Sequence, residues 1–127
     1  MYLQKKMSDS YSIDIVSKGW GFEKVICNSP EYCGKLLYFI KGKKCSWHYH
    51  KLKDETFYIQ SGKILLKYYD EDDIAFADEI ILNKGDKFHI YRGLRHQMLA
   101  LEDTELYEFS TQHFDDDSYR IIPGDIL

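Results

Sequence analysis

Short apolar runs of roughly four to eight residues follow one another along this chain, each closed by Gly, Asn, Asp or Pro, and no long helical period separates them. Residues 22–27, 34–40, 56–59, 63–69, 77–82, 86–91, 97–101 and 105–110 read as strands. Turn signals lie between them, among them Asn28-Ser29-Pro30-Glu31, Ser61-Gly62, Asn83-Lys84-Gly85, Arg92-Gly93 and Glu102-Asp103-Thr104. Parallel βαβ architecture needs helical crossovers, so this pattern predicts an all-β sandwich or barrel. The 11 Tyr and 7 Phe fit the pleated, half-buried surface of sheets, and 127 residues suffice for one core but not two.

Residues 1–17 form an expected N-terminal arm, 18–112 the barrel and 113–127 a C-terminal tail. Within the arm, residues 11–15 alternate and could form an edge strand. Trp20, held between Gly19 and Gly21, reads as a buried anchor for the arm, with a pocket wall as the functional alternative. Asp70-Glu71-Asp72-Asp73 lacks the glycine and spaced ligands of a calcium loop and reads as a solvated hairpin tip. Asp115 to Arg120 reads as a turn or capping cluster, and Pro123-Gly124 ends regular structure.

A net charge of −4 gives no polyanion-binding surface, so no nucleic-acid partner is expected. No apolar run is long enough to span a bilayer, and the first residues lack an apolar signal core, so a cytoplasmic protein without a membrane partner is expected. The odd number of cysteines fits that compartment better than a disulfide framework. Cys27, Cys33 and Cys45 read as packing residues; strand parity puts Cys45 with Trp47 and Tyr49, opposite His48 and His50.

The chemistry concentrates between Gly42 and Gly62. His48 and His50 are two residues apart, so on an extended strand both imidazoles face the same side and can reach one ion. Glu55, at the start of the next strand, supplies an oxygen. The segment from Gly85 to His96, with turns at Gly85 and Gly93, offers His96 as a fourth ligand. Mixed imidazole and carboxylate ligation with open positions suits a divalent metal ion, whether iron, manganese, nickel, cobalt or zinc.

Gly42, His48, His50, Glu55 and Gly62, followed by Gly85, Gly93 and His96, resemble the paired signature of the cupin superfamily, whose fold is a jelly-roll β-barrel. The chain departs from that signature at Tyr91, where proline is usual, and at Ala100, where asparagine is frequent; neither is a ligand position. Across residues 18–122, Gly19 to Glu23, Gly34-Lys35-Leu36 and Glu108 to Thr111 also resemble the C-terminal isomerase domain of type II phosphomannose isomerases and related small cupins. That resemblance implies a metal beside a sugar-phosphate pocket and interconversion of mannose 6-phosphate and fructose 6-phosphate. The bifunctional members carry glutamine at His48, arginine at Lys53 and histidine at Thr56.

Aldose–ketose isomerisation moves a proton between neighbouring carbons through an enediol, which calls for a Lewis acid and a base poised near neutrality. The sequence identifies no base. Lys35 and Arg120, which match basic positions of the family, and Arg92 and Arg95, in the loop before His96, are the candidates for holding a phosphate. A metal-dependent sugar-phosphate isomerase is the leading expectation. A metal-dependent dioxygenase or lyase, and a non-catalytic sugar- or metal-binding regulatory cupin, are the alternatives. Open edge strands and abundant aromatics predict a homodimer.

Overall fold

The computed structural model describes residues 11–127. Its strands are β1 (Asp14–Lys18), β2 (Gly21–Asn28), β3 (Cys33–Phe39), β4 (Trp47–Tyr49), β5 (Glu55–Ser61), β6 (Lys63–Tyr69), β7 (Asp78–Asn83), β8 (Lys87–Ile90), β9 (Arg95–Ala100), β10 (Thr104–Ser110) and β11 (Tyr119–Ile122). They form two antiparallel sheets in the orders β1-β2-β3-β10-β5-β8 and β11-β4-β9-β6-β7. This is the single-domain, all-β jelly roll that the strand pattern and the resemblance implied.

Period-two alternation decides which side chains meet between the sheets. Leu37 and Phe39 from β3, Phe57 and Ile59 from β5, and Leu106 from β10 face Ile64 and Leu66 from β6 and Met98 and Ala100 from β9, and all are buried. Gly62 joins β5 to β6 at φ 95°, and a Cβ there would lie 2.3 Å from Thr104 Oγ1 and 2.4 Å from the Asp103 carbonyl oxygen. The tight hairpin that follows the candidate ligand strand therefore requires glycine.

Two expectations change. Residues 14–18, rather than 11–15, form the edge strand, which pairs with β2 across the boundary assigned to the arm. The C-terminal segment contributes β11, which pairs with β4 and places Arg120 opposite His48. The acidic tip at 70–73 is the exposed hairpin tip expected, and it also makes contacts: Tyr91 donates to Asp70, Arg95 ion-pairs with Asp72, and Trp47 Nε1 donates to the Asp72 carbonyl at 2.8 Å. That tip covers the fully buried Trp47 on the outer side of the second sheet.

Candidate metal centre

Strand β4 pairs with β9 so that His48 and His96 are directly opposed, and His50 follows immediately after the end of β4, two residues beyond His48. Glu55 opens β5 in the other sheet and points into the space between the sheets. The ligand atoms of His48, His50 and His96 lie within 4.8 Å of one another. Glu55 Oε2 is 3.4 Å from His50 Nε2 and 3.4 Å from His96 Nε2. The four residues named from spacing are thus gathered at one point, three from one sheet and one from the other.

The outward nitrogen of each ring is already engaged. Nδ1 of His48 donates to the Ser46 carbonyl at 2.8 Å, Nδ1 of His50 to the Asp117 carbonyl at 2.8 Å, and Nδ1 of His96 to the Leu94 carbonyl at 2.9 Å. Such bonds fix the tautomer and leave the Nε2 lone pairs facing inward. Asp117 also braces the loop between ligands: its carboxylate accepts from the backbone N–H groups of Lys51, Leu52 and Lys53 at 2.9, 3.0 and 3.0 Å. The acidic cluster read as a turn is therefore a support for His50.

Burial keeps the imidazoles neutral. It lowers His48 to about 3, assisted by the neighbouring His96, and His96 to about 4, while His50 is lowered further by burial and the Lys53 charge. Glu55 moves the other way, to about 8, through burial and the charge of Glu108, against the pull of Lys53. Its Oε2 is buried without a hydrogen-bond partner. Three imidazole lone pairs converge on a buried carboxyl group that keeps its proton at neutral pH in the metal-free fold, and a divalent cation that displaces that proton would be shared by all four groups. The residues fit a divalent metal ion.

Beside this centre a cavity of about 1010 Å³ opens between the sheets, walled in part by Trp20, Leu37, Phe39 and Met98. Trp20 is both of the things considered for it: buried and stacked on Phe39 at 4.1 Å between centroids, and part of the cavity wall. Cys45 also lines the cavity, contrary to the parity argument. Lys44 pairs with Leu99 and His48 with His96, so four steps on one strand face three on the other. This one-residue bulge reverses the faces before Trp47. The Cys45 thiol accepts from the Met98 N–H, and burial pushes its pKa to about 12.

The four basic candidates separate. Lys35 and Arg120 line the cavity, whereas Arg92 and Arg95 are not among its lining residues. Arg92 Nε donates to the Leu52 carbonyl at 2.8 Å. Arg95 lies over the Tyr49 ring at 3.7 Å while its Nε donates to Asp72 at 2.9 Å, so loop and aromatic partners outside the cavity hold both guanidinium groups. Lys35 is buried and paired with Glu23 at 3.2 Å. Arg120 has no ion-pair partner among the described residues and stands across from His48.

Sequence reading missed the charged network next to Glu55. Lys53 donates to Glu108 Oε2 at 3.0 Å and to His113 Nδ1 at 3.1 Å, and lies 3.7 Å from Glu55 Oε1. Burial opposes ionisation of Glu108, but the charges of Lys53 and Lys35 and the hydrogen bonds from Lys53 and Ser110 bring it down to about 2. Two of these groups had left a signal. Glu108 continues the inward row Thr104, Leu106, and Lys35 interrupts the inward row Cys33, Leu37, Phe39. A charge on the apolar side of an alternating strand marks a buried, partnered group.

A model of the cupin domain matches residues 36–110, more than half of the chain, and the chain belongs to that family. Among solved structures, the capsular polysaccharide assembling protein CapF from Staphylococcus aureus superposes with a TM-score of 0.75 at 19% identity, over 87% of this chain and 34% of CapF. KdgF from a Halomonas species gives 0.64 at 22% identity, over 75% of this chain and 81% of KdgF. A variant of the Bacillus subtilis oxalate decarboxylase gives 0.76 at 17% identity, over 87% of this chain and 31% of the enzyme. The chain thus spans about a third of the length of CapF and of oxalate decarboxylase, and these likenesses speak to the fold. No curated protein sequence matches the chain.

Proposed function

Within the cupin family to which the chain belongs, we propose a metal-dependent enzyme. His48, His50, Glu55 and His96 hold one divalent ion, and the adjoining cavity takes a small, oxygen-rich ligand with an anionic group, of the sugar-phosphate type. The observation that carries this reading is the convergence of three imidazole Nε2 atoms on an unpartnered, buried carboxylate oxygen. Once bound, a divalent ion at that point supplies Lewis-acid polarisation of a ligand oxygen.

The remaining work falls to the chain. Trp20 and Phe39 provide an apolar wall on which the carbon face of a ring can rest. Of the cavity's cations, Lys53 is paired with Glu108 and Lys18 and Lys35 with Glu23, which leaves Arg120, without an ion-pair partner among the described residues, to meet the anionic group beside His48. Glu108, brought down to about 2 and tied to Lys53 and Ser110, is a fixed charge in the wall beside Glu55 and lies too far below neutrality to serve as the base. Proton transfer between neighbouring carbons, as in mannose 6-phosphate isomerisation, suits this set. The carbohydrate context of CapF adds support.

A second reading, a lyase or dioxygenase acting on a small carboxylate, draws support from the likeness to oxalate decarboxylase, whose centres are described as Mn(II). The deciding experiment loads the protein with Mn2+ and follows mannose 6-phosphate and small hydroxy- and dicarboxylates with and without dissolved oxygen. Isomerisation unaffected by oxygen supports the first reading; turnover of a carboxylate, or dependence on oxygen, supports the second.

A further inference from the structure

The two oxygens of Glu55 have different surroundings. Oε2 faces His50 and His96, each at 3.4 Å, and Oε1 faces the Lys53 ammonium at 3.7 Å. Lys53 is buried and held from two further directions, by Glu108 Oε2 at 3.0 Å and His113 Nδ1 at 3.1 Å. Glu108 is itself fixed by the Ser110 hydroxyl at 3.0 Å, and His113 by Asp115 at 3.0 Å. The Lys53 backbone N–H is tied to Asp117, the residue whose carbonyl orients His50.

We infer that Lys53 is a positioning residue for the metal centre: anchored on Glu108 and His113, its ammonium occupies the Oε1 side of Glu55 and presents Oε2 alone to the imidazoles. This rests on the metal reading above and extends it to a residue that touches no ligand atom directly facing the site. Without the ammonium, the carboxylate is free to turn about its terminal bond, whose rotation is broad, and both oxygens compete for the ligand position. A flat carboxylate held on one side by a charge-assisted contact is a preorganised single-oxygen donor.

Removing Lys53 alone leaves Glu108 buried without its counter-charge, so folding could fail for a reason unrelated to Glu55. The informative variant is therefore Lys53→Met with Glu108→Gln, which deletes both members of the buried ion pair, a change that proteins commonly tolerate. Wild type, the double variant and Lys53→Arg are titrated with Mn2+ and, separately, with Co2+ to record the ligand-field absorption; circular dichroism verifies folding. The double variant should bind Mn2+ about 10- to 100-fold more weakly and show an altered Co2+ spectrum, as loss of outer support typically does. Lys53→Arg, which keeps charge and donors, should stay within about threefold of wild type. A double variant with wild-type affinity and spectrum, or an Arg variant as weak as the double, overturns the role of Lys53 and leaves the metal centre standing. Absence of Mn2+ and Co2+ binding by wild type overturns both. A double variant that does not fold also overturns the inference, because Lys53 and Glu108 would then be needed for the barrel itself.

Discussion

Glutamine at position 55 should stabilise the metal-free fold at neutral pH and lose most of that advantage when Mn2+ is bound. In the metal-free protein Glu55 is buried, its Oε2 has no hydrogen-bond partner, and burial with the charge of Glu108 raises its pKa from 4.5 to about 8. Between those values the folded state keeps a proton that the unfolded chain has released, so stability falls as pH rises through this window. Each pH unit is worth about 1.4 kcal/mol, so at pH 7 the group costs the metal-free fold on the order of 3 kcal/mol, and at pH 5 about 1 kcal/mol. Glutamine titrates in neither state, and its amide can donate to an imidazole Nε2. Metal-free Glu55→Gln should therefore be more stable than wild type by roughly 2–3 kcal/mol at pH 7 and by only about 1 kcal/mol at pH 5. With Mn2+ most of that advantage is lost: a lost ligand weakens binding by at least about 10- to 100-fold, which removes roughly 1.4–2.7 kcal/mol of linked stabilisation. Urea unfolding at both pH values, in chelator and in Mn2+, reads all four quantities. A variant less stable than wild type in chelator at pH 7, or an advantage equal at both pH values, refutes the reasoning.

Three further outcomes are expected. The pKa values of His48, His50 and His96 are lowered on folding, so below about pH 6.5 the unfolded chain takes up protons that the fold refuses; acid titration of the metal-free protein should show stability falling there, three histidines outweighing the opposite trend of Glu55, and a flat profile would contradict their burial. Arg120→Ala should weaken mannose 6-phosphate about 10- to 150-fold while leaving unphosphorylated mannose little changed, and Arg92→Ala and Arg95→Ala should not separate the two ligands in calorimetric titration. Light scattering should give the mass of a dimer, since among the described residues β1 is an edge strand with Ile15 and Val16 exposed; a monomer at all accessible concentrations would count against it.

Much of this could be read from the chain because the signals are local. Strand parity puts His48 and His50 on one face, and the resemblance to the cupin signature adds Glu55 and His96 to complete the set. The strand at 63–69 was read at its exact bounds from local pattern. What escaped depends on long-range pairing. The bulge that turns Cys45 into the cavity is visible only when β4 is set against β9. β11 is short and exposed, with no apolar alternation to announce it, and its place beside β4 is fixed by tertiary contacts. Lys53 sits in a loop where lysine is ordinarily solvated; its burial follows from Glu108, more than fifty positions away, and only the inward parity of Glu108 hinted at it. Arg92 and Arg95 looked like mouth residues because they precede His96, but the carbonyl of Leu52 and the carboxylate of Asp72 hold them elsewhere.

The central claim is that His48, His50, Glu55 and His96 form a metal centre, and the most direct test is elemental analysis of protein purified without a metal-affinity tag, comparing wild type with Glu55→Ala and His50→Ala. Wild type should carry close to one divalent ion per chain, and both variants should lose most of it under the same dialysis. Equal metal content in all three proteins, or none in wild type after exposure to Mn2+, Fe2+, Co2+, Ni2+ and Zn2+, would contradict the assignment.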